Sequence, residues 1–336
     1  MPAQQARAVS AHGRLRLVVF VLAAITAACA RPAPDDHRLH VVATISPITD
    51  LVQAVAGNRA SVEGLIPEGV DSHTFQPSPG DARRLAEADL VFLNGLHLEE
   101  PTRRLGEANR KDGARIVELA ARAIRRSEWI FDFSFPRSGG DPNPHLWTNP
   151  PYAKRYTEVI RAELSRADPQ GSRDYADNQA VLAGKIDRLG EAFRRAAETI
   201  PQERRKLLTY HDSFPYLARD FGWTVVGAIQ PADFAEPSPR EVAGLIRQIR
   251  AEQVPAIFGS EVFPSPVLEA IARESGARYV ADLRDDDLPG EPGEPDHSYL
   301  GLMRFDLLTI VEALGGDASA LLALDVRSAP PVSGGS

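Results

Sequence analysis

The sequence predicts an α/β fold of two lobes, each a parallel β-sheet flanked by helices, joined by one long helix. Three observations predict it. The stretch from Asp174 to Ile200 carries apolar residues at Tyr175, Leu182, Ile186, Leu189, Phe193, Ala197 and Ile200, steps of three, four or seven that mark one helical face. On both sides of it, short apolar runs alternate with helical patterns, the grammar of parallel sheets covered by helices. A string also repeats, Gln76-Pro77-Ser78-Pro79-Gly80-Asp81 before the long helix and Glu236-Pro237-Ser238-Pro239-Arg240-Glu241 after it.

The chain of 336 residues, 43% hydrophobic and 25% charged, has room for two ordinary lobes with cores of their own. Its start is different in kind. Arg7, Arg14 and Arg16 precede the apolar run Leu17 to Ala28, and small residues lead to Cys29, the sole cysteine. Basic, then apolar, then small is the order of a signal peptide over 1–28, and the run is too short for a comfortable permanent span. Small residues before a lone Cys resemble the bacterial lipoprotein box, which makes Cys29 the expected lipidation site. Thr26 departs from the usual aliphatic residue there, so ordinary cleavage nearby is the alternative. With one Cys no intramolecular disulfide forms. Removing 1–28 takes three arginines and no acid, moving the net charge from −8 to −11, and so acidic a protein is not expected to bind nucleic acid.

Residues 29–38, with Pro32 and Pro34, read as a tether. The N-terminal lobe, 39–172, opens with a strand from Leu39 to Ala43 and a helix from Ile48 to Ala56 stopped at Gly57. In the repeated string, Ser is the N-cap, Pro takes the first helical position, where no N–H is needed, and the acid three places on completes a capping box. The helix so started leads to a strand from Leu90 to Asn94. The linking helix, 173–201, ends at Pro201. The C-terminal lobe, 202–326, repeats the order: a strand from Leu207 to Tyr210, a helix from Phe214 to Phe221 stopped at Gly222, the second capping box, and strands Ala256 to Gly259 and Arg278 to Ala281. Residues 327–336, rich in Pro, Gly and Ser, are expected to be a disordered tail. Ligands of open α/β sheets sit beyond the carboxyl ends of the strands, which places a site between the lobes.

Of eight histidines, His12, His37 and His40 lie in the leader, the tether or the first strand and are expected to be solvated. His73 in Asp71-Ser72-His73-Thr74-Phe75, His145 in Asn143-Pro144-His145-Leu146-Trp147 and His211 in Thr209-Tyr210-His211-Asp212-Ser213 sit in loops where side chains converge. A metal ion needs three or four groups drawn from different segments. A carboxylate supplies the charge that neutral imidazoles lack, and Asp282, closing an apolar strand, is the candidate. Asp285, Asp286, Asp287 and Asp296 are expected to be solvated.

Over nearly all of the mature chain these motifs resemble the metal-specific solute-binding proteins of bacterial ABC importers, the zinc/manganese cluster. The resemblance is carried by Val41-Val42-Ala43-Thr44, His73 through Pro79, Ala88 through Gly95, Asn143 through Trp147, Tyr210 through Phe214, Glu236 through Pro239 and Ser298-Tyr299-Leu300. It implies two α/β lobes on a backbone helix, one ion in the cleft, and ligands at the positions of His73, His145, His211 and Asp282. It further implies a monomeric extracytoplasmic lipoprotein that is not an enzyme, working with a membrane permease and its cytoplasmic ATPase. Many zinc members carry a His-rich loop before the second ligand; Ile130 to Asn143 has no histidine. His97 and His297 occupy loops within reach of the cleft rim; a surface hydrogen-bonding role is expected for each, with an auxiliary-ligand role as the alternative.

Three imidazoles and a carboxylate suit Zn²⁺ in tetrahedral coordination, while Mn²⁺ prefers more oxygen and usually accompanies Glu at the position of His211. Zinc is therefore the expected ion and manganese the alternative. Two further readings stay open: a surface lipoprotein or adhesin with a structural metal, and a zinc hydrolase with Glu261 or Asp212 as base, which no catalytic string supports. Neutral imidazoles are required for coordination, so affinity should fall below about pH 6.

Overall fold

The computed structural model describes residues 38–230, 236–262 and 266–328. The leader, Cys29, nearly all of the tether and residues 329–336 of the tail lie outside the described residues.

The first sheet contains β1 (Leu39–Ala43), β2 (Ala60–Gly64), β3 (Leu90–Leu93) and β4 (Arg115–Glu118) in the order β2-β1-β3-β4. The second contains β5 (Lys206–Thr209), β6 (Thr224–Ala228), β7 (Ala256–Phe258) and β8 (Arg278–Val280) in the order β6-β5-β7-β8. All pairings are parallel, and the orders are the same permutation, so the repeated string belongs to a repeated topology. Both predicted capping boxes form. Ser78 starts α2 (Pro79–Glu87) with the Asp81 carboxylate accepting the Ser78 N–H at 2.7 Å, and Ser238 starts α8 (Pro239–Glu252) with Glu241 at 2.7 Å. Strands β2, β4 and β6, which the sequence pattern did not single out, are edges: Ala60-Ser61-Val62-Glu63-Gly64 buries only Ala60, because an edge strand has one neighbour and need not be apolar.

Side chains alternate across each central strand, as the two-residue period of a strand requires. Val41, Ala43, Leu90 and Phe92 of the first sheet and Leu207, Ala256 and Phe258 of the second face one common core; Val42, Val91 and Leu93 face a separate cluster on the outer side of the first sheet, and Leu208 and Ile257 one on the outer side of the second. The common core is closed by the long helix α6 (Ser172–Glu198), two residues ahead of its expected position, which buries Tyr175, Leu182, Ile186, Leu189 and Phe193. At 1.5 Å per residue it is about 40 Å long. It packs on α1 (Ser46–Ala56) and α5 (Pro150–Ala167) from the first half and on α10 (Tyr299–Ala313) and α11 (Ser319–Leu322) from the second. Its start is fixed by Asp168, which accepts the Tyr175 hydroxyl at 2.9 Å and Arg59 at 2.8 Å. The two sheets thus share one interior, and the chain from Leu39 onward forms a single unit. No helix among the described residues is long and apolar enough to cross a membrane.

Candidate metal centre

Three loops at strand ends deliver three imidazoles to one point. His73 follows β2 in a loop held by Asp71, whose carboxylate accepts the His73 N–H at 2.9 Å and the Thr74 hydroxyl at 2.8 Å. His145 precedes α5, and Asn143 Oδ1 accepts both its backbone N–H and its ring Nδ1–H at 2.9 Å. His211 stands just beyond β5, with Nδ1 2.8 Å from Gln230 Oε1. The three Nε2 atoms lie 3.1 Å (His73 to His145), 3.1 Å (His73 to His211) and 3.0 Å (His145 to His211) apart. His145 and His211 are buried and His73 is partly so.

The tautomers decide what this triangle does. The Asn143 amide nitrogen donates to Asp132 at 2.9 Å and to the Asp212 carbonyl at 2.6 Å, so its oxygen faces His145 and accepts. Facing amide oxygens, the Nδ1 atoms of His145 and His211 carry the protons, which leaves Nε2 lone pairs directed at each other at 3.0 Å. Such a contact is repulsive unless a cation sits between the lone pairs. With Zn–N near 2.05 Å, an ion equidistant from all three would stand about 1 Å off the plane of the triangle, leaving its far side for a fourth donor. Burial lowers all three imidazole pKa values, and the neighbouring imidazoles lower those of His73 and His145 further, so the rings are neutral and able to coordinate.

The structure does not bring Asp282 to the histidines. Strand β8 stops at Val280; Asp282 lies two residues on with its side chain 47% exposed, 3.4 Å from Arg284. The chain turns inward only afterwards, burying Asp285 and Asp286, which the sequence reading had left in solvent. Asp285 Oδ2 is 3.9 Å from His211 Nε2 and accepts the Ser213 hydroxyl. Asp286 accepts the Ser72 N–H at 3.0 Å and the Ser72 hydroxyl at 3.1 Å, tying this loop to the one bearing His73. One oxygen of Glu261 accepts the backbone N–H groups of Asp285, Asp286 and Asp287 at 2.9, 3.0 and 3.1 Å. Burial, then the charges of Glu261 and Asp286, push the Asp285 carboxyl well above the usual carboxylate range. Three consecutive aspartates look solvated in a sequence; only Glu261, distant in sequence, reveals that their amides are cradled.

The remaining predicted groups lie elsewhere. His297 is 3.7 Å from Glu68 and His97 is 3.3 Å from Asp141; neither is in the triangle. His40 pairs with Glu63 at 3.2 Å. Thr148, whose single hydroxyl proton is shared between the His145 and Ser213 carbonyls at 2.9 and 2.7 Å, and Trp147, whose indole N–H reaches the Asp285 carbonyl at 2.8 Å, join the first-half loop to both second-half loops.

Residues 41–313 match the family described as zinc-uptake complex component A, periplasmic. The iron-binding protein YfeA of Yersinia pestis is 31% identical over 302 residues, covering 89% of this chain and 94% of that protein. The zinc-binding protein TroA of Treponema pallidum is 30% identical over 289 residues, covering 84% and 91%. Among solved structures, the Mn-bound periplasmic metal-binding protein of Candidatus Liberibacter asiaticus superposes with a TM-score of 0.73 at 30% identity, covering 82% of this chain and all of that one. This chain belongs to the zinc-uptake component A family, the periplasmic metal-binding components of ABC metal importers.

Proposed function

We propose that this protein captures one divalent transition metal ion outside the cytoplasm, with His73, His145, His211 and Asp285 as ligands and Zn²⁺ as its principal cargo, and hands it to an ABC permease powered by a cytoplasmic ATPase. The observation that carries this reading is the triangle of Nε2 atoms at 3.0–3.1 Å, two of whose lone pairs are committed to one point by amide oxygens behind the rings. Asp285 replaces Asp282 as the fourth ligand because its carboxylate faces His211 while that of Asp282 faces Arg284 and solvent. Three nitrogens and one oxygen favour zinc over manganese. Relatives named for iron, zinc and manganese are consistent with a shared site whose cargo depends on the donor set and on availability.

Two features favour capture over a structural metal or hydrolysis. The donors come from both halves of the chain, as reversible binding in a cleft requires. Glu261, which a hydrolase reading would cast as the base, has an oxygen committed to three backbone amides, and Asp212 is paired with Asp132; neither is positioned to activate water. The protein works as a monomer held to the membrane by acylated Cys29. The shared core beneath the cleft restricts release to small movements of the ligand loops.

The test is native mass spectrometry of chelator-stripped protein offered zinc and manganese, separately and in competition, beside His211→Ala, Asp285→Ala and Asp282→Ala. One ion per chain, zinc retained over manganese, lost with His211→Ala, weakened with Asp285→Ala and kept with Asp282→Ala is the expected result. No bound metal, or binding indifferent to His211, refutes the assignment.

A further inference from the structure

The three imidazoles are not equally reachable. His73 is the one that borders a cavity of about 300 Å³, whose lining includes Leu98, Phe135 and Pro144 and which also meets His97 and Asp141. The Phe135 ring lies over the triangle, its centroid 5.7 Å from those of His73 and His145 and 6.5 Å from that of His211. An ion entering this cavity from solvent passes walls that carry His97 and Asp141 as well as His73. The His97 and Asp141 side chains approach to 3.3 Å and are 62% and 49% exposed.

We propose that His97 and Asp141 form a two-ligand transit site that takes a divalent transition metal ion from solvent and passes it along the cavity to His73. The proposal rests on the capture reading of the triangle. An imidazole and a carboxylate are the donor types a borderline ion accepts. Two donors leave most of the coordination sphere to water, so the ion is held weakly and moves on, while the carboxylate raises the local cation concentration at the mouth. His97 is fixed there by an uncommon backbone. Gly95, Leu96 and His97 have φ of 84°, 53° and 67°, three successive left-handed residues, a conformation that the two with side chains adopt only where the surrounding structure holds them. The turn is held by buried Glu99, whose carboxylate accepts the Asn94 N–H at 2.8 Å, the Gly95 N–H at 3.1 Å and the Thr44 hydroxyl at 2.6 Å. Gly95 itself admits no side chain, because a Cβ there would stand 2.7 Å from Glu118. Asp141 comes from the segment that also supplies Phe135 and Asn143.

A transit site alters the rate of passage in both directions and leaves the equilibrium of the final site unchanged. The experiment mixes metal-stripped protein with Zn²⁺ in a stopped-flow instrument and follows tryptophan fluorescence, since the Trp147 ring is 5.0 Å from that of His145. Dissociation is followed with excess chelator, and affinity by chelator competition, for the unmodified protein, His97→Ala, Asp141→Asn and the double variant. Association and dissociation are both expected to slow about 3- to 10-fold in each single variant, with no further loss in the double variant and affinity held within about twofold. Rates equal to those of the unmodified protein, or an affinity loss carried by faster dissociation alone, overturn the transit site. If the unmodified protein binds no zinc, the capture reading fails as well, a separate outcome visible before any variant is made.

Discussion

Replacing Glu261 tests whether the metal site depends on a cradle behind the aspartate loop. Its Oε1 atom accepts three successive backbone N–H groups at 2.9–3.1 Å, and hydrogen bonds to a charged group contribute about 1.5–3 kcal/mol each. Glu261→Ala leaves three donors without this acceptor. Because the loop relaxes and water replaces some of the lost bonds, the expected loss of fold stability is about 2–5 kcal/mol rather than the full sum. Asp285, carried by that loop, loses its aim at His211, and zinc affinity should fall about 10- to 100-fold, the usual cost of removing a group that orients a ligand. Glu261→Gln separates geometry from charge. It keeps an oxygen for the amides and removes the negative charge that faces Asp285 and Asp286, so affinity should stay within about threefold. The assays are chelator competition for zinc and thermal melting with and without zinc, with circular dichroism at the working temperature to exclude an unfolded Ala variant. Zinc binding by Glu261→Ala as tight as that of the unmodified protein would refute the cradle. Equal losses in the Gln and Ala variants would show that charge, not acceptor geometry, holds the loop.

Three further outcomes follow from burial and from the repeat. Metal affinity should depend on pH through Asp285 more than through the imidazoles: the imidazole pKa values are lowered by burial, so proton competition there moves below the pH 6 expected of free side chains, whereas the Asp285 carboxyl is raised, first by burial and then by Glu261 and Asp286. At a pH where that carboxyl is protonated zinc must displace its proton, so affinity should rise with pH until the carboxyl ionises, with a proton release that calorimetry across buffers of different ionisation enthalpy reads; Asp285→Asn should diminish the release, and a release unchanged in that variant at every pH contradicts the assignment. For the metal-free fold the imidazoles act in the opposite sense to a salt-bridged histidine: their folded pKa values lie below the unfolded value near 6.5, so their contribution is intact above about pH 6.5 and is lost as pH falls through the folded values, which melting curves between pH 7.5 and 5 would record. Ser78→Ala and Ser238→Ala should each cost about 1 kcal/mol and add in the double variant, because the same cap recurs in two separate places; urea unfolding midpoints measure this, and a strong inequality between the two would mean that the caps are not energetic equivalents.

The repeated fold was legible because it is written in local signals. Ser78 and Ser238 cap helices through atoms three residues away, and the face of α6 is a periodicity within one segment, so neighbours in sequence carry the information. The short edge strands were not legible, since a strand such as Ala60–Gly64 exists only because β1 offers it hydrogen-bond partners. The same division runs through the metal centre. Three histidines in Pro- and aromatic-flanked loops at strand ends were recognisable as residue types in the right places. Which carboxylate lies beside them was not: Asp282 and Asp285 are three residues apart on one polar loop, and what separates them is that Arg284 and solvent hold the first while Glu261, Ser213 and His211 surround the second. The sequence alone determined the two-lobed α/β class, the long helix and the three histidines that converge, because helix periods, caps and strand ends are short-range properties of a chain. Only the tertiary structure set Asp285 apart from Asp282 as the proposed fourth donor and gave the hydrogen bonds behind the Nε2 triangle and the cavity that His97 lines, because each depends on atoms that meet across tens to hundreds of residues and are ranked by burial and distance rather than by residue type.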